Sequence, residues 1–246
     1  MGRYDFMKSN AEVAEWMAAL YDSLPFIGYP DMSLADAPMA LDVPLGEAIL
    51  RRVSTRDFLA EPVPLAQVAT LLHYSYGITR DNQGTNVPRS FRVVPSGGAI
   101  YPLEIYFHTF DAPGMVAGLY HYNPSEKRLR RLRKGDERET IANFLVQQEI
   151  GRSAPLLFFV TGVFERSAYK YGDRGYRFVL IEAGHVAQNL NLAAGALGLG
   201  SVNLCGYFDR EADAFLGLDG LTQSTLYLVA VGKPAGPAPD ATSPVL

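Results

Sequence analysis

The chain holds one cysteine, Cys205, among its 246 residues. An intrachain disulfide is therefore excluded. The four histidines, His73, His108, His121 and His185, lie far apart, and none stands at the spacing of a metal-ligand pair, so no metal is expected. Neither sign of charge dominates: 22 Lys and Arg are set against 26 Asp and Glu, for a formal net charge of -4. Without a basic stripe the chain lacks the footprint of a nucleic-acid binder. The opening MGRYDFMKSN lacks the positive-then-apolar order of an export signal. One long apolar stretch exists, Phe178 to Leu199, but Glu182, His185, Gln188, Asn189 and Asn191 interrupt it. Each polar group would be costly in lipid, so the stretch reads as a buried or interface helix. These absences predict a soluble, cytoplasmic protein with no membrane and no nucleic acid as partner.

Apolar residues make up 48% of the chain, ample for a full core. A leader helix is expected over Ala11 to Tyr21, then an irregular arm from Pro25 to Pro44. Helices follow at Leu45 to Arg52 and at Leu65 to Tyr76, the second with Pro64 at its first turn, where proline is tolerated. The middle is rich in strand formers: Leu103 to Phe110, then Gly118 to Tyr122 and Lys127 to Leu132 around the turn Asn123-Pro124-Ser125-Glu126. Asp136 can cap a helix over Glu137 to Gln148. Leu156 to Val163 has strand length, and a long helix is expected over Gly175 to Leu197. Strands at Ser201 to Leu204 and Leu226 to Val231 flank a short helix, Asp209 to Leu216. The order predicts an α+β fold with a helical layer and not a doubly wound one. Residues 1–44 read as helix and arm, 45–234 as one domain, and 235–246 as a tail.

Four segments carry chemistry. In YKYGDRGYRF, Lys170 and Tyr171 stand side by side ahead of Arg174 and Arg177, at the entrance to the long helix. Lysine shifts its pKa readily when desolvated, and a base works best with a pKa near the operating pH. The same pair also suits an ordinary surface. Arg51, Arg52, Ser54 and Arg56 cluster at a helix end, where guanidinium forks match phosphate oxygens; a solvated basic helix end has the same composition. Pro95-Ser96-Gly97-Gly98-Ala99 is a tight turn whose glycines would let backbone approach a flat ligand, or an ordinary turn. After Gly195, Gly198 and Gly200, the strand SVNLCGYFD reaches Leu204, Cys205 and Gly206, small enough at its end to leave room for a ring system, and also consistent with a helix cap plus a core strand.

These segments together resemble one family. RVSTRDF resembles the RxSxRxF opening of the FMN-dependent nitroreductase superfamily. PSGGAIYPLE resembles the PSAGALYPLE turn of its SagB-type branch, which oxidises azolines to azoles in peptide natural products. GLYHYNP and KYGDRGYRF with EAGHVAQNL resemble that branch's hairpin and its KYxxRxYR and EAGHxxQN signatures. The resemblance runs from about Pro44 to Lys233. It implies an α+β flavoprotein with a mixed sheet, flanking helices and a long central interface helix, working as a homodimer with FMN between the subunits. It further implies that Arg52, Ser54 and Arg56 hold the phosphate and ribityl chain, with Lys233 in reach of the phosphate. Pro95, Ser96, Gly97 and Gly98 would line the isoalloxazine edge, and Leu204, Cys205 and Gly206 would lie over or beside the ring. Lys170 and Tyr171 match the pair assigned to catalysis in azoline-oxidising members. Val53 departs from the polar or basic residue often found there, and the stretch before Leu45 is shorter than that of larger members that dock peptides.

The expected function is two-electron oxidation of a thiazoline or oxazoline carried by a peptide, a carrier protein or a small molecule, with oxygen as terminal acceptor. A nicotinamide-dependent nitro or quinone reductase is one alternative. A non-catalytic flavin-binding partner in a biosynthetic complex is another.

Overall fold

A computed structural model describes residues 23–34, 38–82 and 89–236, together with Ser9, Ala11, Glu12, Glu15, Trp16 and Gly84. Ala11, Glu12, Glu15 and Trp16 are helical, and the rest of the expected leader helix lies outside the described residues. The elements run β1 (Asp31–Ser33), α1 (Leu45–Arg51), α2 (Leu65–Tyr76), β2 (Ile78–Asp81), β3 (Ser90–Arg92) and a 3-10 turn at Gly97–Ala99. Then come β4 (Leu103–Thr109), β5 (Gly118–Asn123), β6 (Arg128–Lys134), α3 (Arg138–Phe144), α4 (Gln148–Ser153) and β7 (Leu156–Val163). The chain continues with α5 (Phe164–Tyr171), α6 (Arg174–Ala196), β8 (Gly200–Leu204), α7 (Asp209–Leu216) and β9 (Gln223–Gly232).

The main sheet has seven strands in the order β1-β6-β5-β4-β7-β9-β8. Every pairing of these strands is antiparallel, where the family resemblance implied a mixed sheet. A parallel contact survives as an isolated bridge between Ser54 and Ser201. The sheet is covered on both faces. On one face Ile105, Phe107, Phe158, Val160 and Val229 pack with Leu71, Leu72, Val179, Val186 and Leu190 of α2 and α6. On the other Tyr106, Leu157, Phe159 and Leu228 pack with Ile141, Phe144, Ile150 and Phe215 of α3, α4 and α7. Alternate residues of β4 and β7 thus enter different cores. This double burial explains why LEIYFHT and LLFFVTGV lack the polar alternation of a half-exposed strand.

Three expectations change. The helix expected over Glu137 to Gln148 is two helices, because Leu145 pairs with Tyr207 and the Val146 N–H donates to the Gly206 carbonyl at 2.8 Å. The arm is not wholly irregular, since β1 pairs with β6. Lys170 and Tyr171 do not sit at the entrance of the long helix. They end a separate helix, α5, which stops at Gly172 with φ 56°. α5 packs closely on the first turn of α6, where a Cβ on Gly175 would lie 2.7 Å from the Ser167 backbone.

A buried ion cluster ties the arm and α5 to the sheet. Glu104 of β4 bonds Arg166 of α5 at 2.7 Å and His121 of β5 at 2.7 Å, and it accepts from the Ser23 hydroxyl and the Leu24 N–H. Burial alone would raise the Glu104 pKa, but the Arg166 charge and the His121 bond outweigh it and hold it at about 2. Glu104→Ala would strand a buried guanidinium, a loss of about 3–5 kcal/mol in unfolding free energy, measurable by denaturant titration. A loss below about 1 kcal/mol, the worth of an exposed pair, would contradict this role.

Candidate active site

The site residues expected from the sequence fall into two clusters. The first is built on the turn from Pro95 to Gly98. Gly98 has φ 68°, and a Cβ there would lie 2.5 Å from the Tyr171 hydroxyl and 3.2 Å from Lys170 Nζ. Only glycine combines that backbone with so close an approach. A Cβ on Gly97 would lie 3.2 Å from the Phe178 ring, which meets Tyr171 edge-on at 4.9 Å. Two residues beyond the glycines are also left-handed, Ala99 with φ 54° and Tyr101 with φ 52°. Such backbone persists only where its surroundings over-determine it. Here the Ser96 hydroxyl oxygen accepts the Tyr101 N–H at 2.9 Å, and Arg89 Nη1 donates to the Gly98 carbonyl at 2.9 Å.

Beneath the turn lies Glu182 of α6, 2% exposed. Its Oε1 accepts from the Tyr76 hydroxyl at 2.9 Å, and its carboxyl also bonds Ser96. The Tyr76 oxygen in turn accepts the Leu103 N–H at 3.1 Å, and the Arg92 guanidinium stacks 4.1 Å over the Tyr76 ring. Burial pushes the Glu182 pKa up to about 7, against the opposing bonds from Ser96 and Tyr76 and the Arg92 charge. Lys170 is 7% exposed; burial and then the nearby Arg89 charge lower its pKa. Burial raises the Tyr171 pKa, and Arg89 opposes that.

The second cluster lies at the opposite end of α6. Arg52 follows α1 and lines a cavity of about 220 Å³ with Thr55, Asn191, Gly200 and Ser201. Arg51 lines the same cavity and also pairs with Glu47 at 2.6 Å. Ser54 bridges to Ser201, whose hydroxyl donates to Asn191 Oδ1 at 2.9 Å. Arg56 is exposed, and its Nη1 lies 3.5 Å from the Ser54 carbonyl. Lys233 runs alongside, its carbonyl accepting the Leu59 N–H at 2.9 Å and its ammonium paired with Glu61 at 2.9 Å. β8 then leads to Leu204, whose side chain packs into the second core, so only its backbone faces outward. Cys205 is exposed, and Gly206 lies under Val146.

The clusters do not meet within the chain. Gly97 touches Phe178 and Ser201 touches Asn191. Those α6 residues are separated by roughly 20 Å at 1.5 Å per residue. The turn enters β4 while the arginines flank β8, which lies three strand positions away, roughly 14 Å.

Residues 49–233 match the Nitroreductase family. The chain belongs to that family. Nitroreductase MJ1384 of Methanocaldococcus jannaschii, so named without a demonstrated activity, is 33% identical over 192 residues, 78% of this chain and 92% of its own length. The microcin B17-processing protein McbC of Escherichia coli is 29% identical over 147 residues, 57% of this chain and 54% of McbC. The chain therefore matches about half the length of that relative. A nitroreductase structure from Anabaena variabilis superposes with TM-score 0.69 at 28% identity, over 84% of this chain and 42% of that one. The E. coli microcin synthetase McbBCD complex with truncated pro-MccB17 bound gives TM-score 0.64 at 21% identity, over 93% and 95%. A Desulfovibrio desulfuricans nitroreductase in complex with FMN gives 0.56 at 21%, over 83% and 94%. The last two show the shared nitroreductase fold.

Sequence reasoning passed over several partners of this nitroreductase-family site. Arg89, Tyr76 and Arg92 are brought to the turn by tertiary packing, and no motif marks them. Of the polar groups on the long helix, Glu182 and Asn189 face inward, Asn189 donating to the Tyr74 carbonyl at 3.1 Å. His185 and Gln188 are on the exposed face.

Glu182 makes the fold sensitive to pH. Its folded pKa, about 7, lies above the ordinary 4.5. Below the ordinary value both states are protonated. As pH rises toward 7 the unfolded chain releases this proton first, so stability falls, by up to about 3 kcal/mol. Glu182→Gln removes that slope, and urea titrations across this range should show the variant gaining on the parent as pH rises. Parallel profiles would contradict the assignment.

Proposed function

We propose that this chain is a homodimeric, FMN-dependent oxidoreductase that removes two hydrogens from an azoline ring to give the azole in peptide natural-product biosynthesis. The observation that carries the reading is the approach of Gly98 to Lys170 and Tyr171. A desolvated amine and a phenol stand against a turn whose left-handed backbone leaves a flat, side-chain-free surface. Reduction of a nitro group needs no such base. The relationship to McbC, a microcin-processing protein, supports a peptide-borne substrate.

The residues present fit FMN. Arg51 and Arg52 line the cavity beside Ser201, and Ser54, Arg56 and Lys233 stand on the flanking segments, together the cations and hydroxyl that a phosphate needs. About 10 Å further along β8, the chain after Leu204 continues into the exposed Cys205 and into Gly206. Bound there, FMN would supply a two-electron acceptor that oxygen regenerates. The remaining work is the protein's own. Ser96 to Gly98 present backbone to a planar partner. Lys170 or Tyr171 takes the proton from the ring carbon next to the carbonyl, and its burial keeps water from competing.

Two chains are needed to bring the clusters together. Both are required for one flavin, and α6 holds them about 20 Å apart. A twofold pairing of α6 helices would place the front half of one against the back half of the other. The outer face of α6 suits this. It carries Tyr176, Leu180 and Ile181, 54%, 42% and 51% exposed, with Gly184 open beside them, an apolar stripe that water does not favour.

A nicotinamide-dependent reductase is the second reading, favoured by the relationship to a protein named as a nitroreductase. Two measurements separate the readings. Arg52→Ala and Arg56→Ala should each weaken flavin binding about ten- to hundredfold, the loss of a charge-assisted bond; full occupancy in both would remove the phosphate assignment. Lys170→Ala and Tyr171→Phe should stay yellow and dimeric while thiazoline oxidation falls about 100- to 10,000-fold. Rapid NAD(P)H consumption, unchanged in both variants, would favour the reductase.

A further inference from the structure

We propose that Arg89 is a positioning residue for the Lys170–Tyr171 pair: it anchors the Gly98 carbonyl beside both side chains and brings its guanidinium to the same turn. This inference rests on reading the pair as the site of proton abstraction. Arg89 is placed by the hairpin of β2 and β3 and not by the helices that carry the pair. Asn82 clamps its backbone from both sides, accepting the Arg89 N–H at 2.5 Å and donating its own N–H to the Arg89 carbonyl at 3.0 Å. Nη1 then reaches the Gly98 carbonyl at 2.9 Å. At Gly98, the Cβ direction points at the Tyr171 hydroxyl and at Lys170 Nζ. One hydrogen bond therefore brings a guanidinium, an amine and a phenol around a single peptide unit.

The guanidinium stays protonated throughout the working pH range. A second cation beside it is disfavoured, and a phenolate beside it is favoured, so the charge acts in the same sense on both partners. Arg89 is the charge felt at both groups. At Lys170 burial and then the Arg89 charge both lower the pKa, whereas at Tyr171 burial raises it and Arg89 opposes, so the two influences work together only at Lys170. Other charged groups on neighbouring elements are Asp173 and Arg174 at the head of α6, Glu182 one helical stretch further on, and Glu165 and the Glu104-paired Arg166 on α5 itself. Glu12 and Glu15 flank Trp16, which stacks on Tyr169 at 4.3 Å.

The test reads Lys170 directly, without turnover. Purified full-length protein is acetylated competitively over a pH series, and peptide mass spectrometry gives the labelling midpoint of Lys170 against the exposed Lys134 in the same sample. Lys170 should titrate below Lys134. Arg89→Gln should raise the Lys170 midpoint by about one pH unit, or about tenfold less free amine at neutral pH. Arg89→Lys, which keeps the charge, should leave it low. A Lys170 midpoint equal to that of Lys134 in the parent overturns the proposal even if the variants fail to fold. So does a midpoint unmoved in Arg89→Gln, or raised equally in Arg89→Lys. If azoline oxidation is present, the acid limb of its rate profile should follow the midpoint. A midpoint that moves while the rate profile stays still supports the Arg89 effect and rejects Lys170 as the base.

Discussion

Helix α6 separates the two halves of the site by its own length. Its 23 residues form a rod of roughly 34 Å. The glycine turn packs near the front of that rod and the arginine cluster near its back. The sheet enforces the same separation, because the turn feeds β4 and the cluster borders β8. A single chain therefore holds the arginine cluster and the glycine turn at opposite ends of α6, out of reach of one another. The exposed Tyr176, Leu180 and Ile181 on the outer face of α6 suit contact with a second chain.

The turn itself is held in a conformation it would not choose. Gly98, Ala99 and Tyr101 are left-handed, and for the last two this costs about 1–2 kcal/mol per residue. Three attachments offset that strain: Arg89 on the Gly98 carbonyl, Ser96 on the Tyr101 N–H, and Glu182 on Ser96. Glu182 is buried at its own expense, and replacing a buried carboxyl by an apolar group is often stabilising. Its retention here is consistent with a positional role. Behind α5, the Glu104 cluster fixes Arg166, one helical turn before Lys170. The helix that carries Lys170 and Tyr171 is thus tied to the sheet by one charged group and to α6 by the close approach at Gly175.

Much of this was legible in the sequence. Strong local patterns located the elements: Leu65–Tyr76, Leu156–Val163 and Asp209–Leu216 form as expected, because propensity, punctuation and burial agree there. The break between α3 and α4 was not legible, since the pairing of Leu145 with Tyr207 depends on residues more than sixty positions away. The short β1, β2 and β3 carry too few residues for a periodic signal. For the candidate site, local spacing singled out the arginines, the glycines and the Lys–Tyr pair. It could not reveal that Gly98 touches Tyr171 seventy-three positions later, or that Arg89 and Glu182 brace the same turn. The inward orientation of Glu182 and Asn189 was also hidden, because a helix apolar on most sides does not announce which face meets its own core.

The central claim is that one flavin is held by the arginine cluster of one chain and the glycine turn of another. Subunit mixing tests it most directly. One tagged chain carries Arg52→Ala with Arg56→Ala, the other carries Gly98→Val, and each homodimer alone should be nearly colourless. In the mixed dimer, one site combines both lesions and the other combines the intact arginines of the second chain with the intact turn of the first. The account requires the purified heterodimer to bind one FMN per dimer with affinity near that of the parent. A heterodimer as colourless as its parents would show that each flavin is held within a single chain, and would contradict the account.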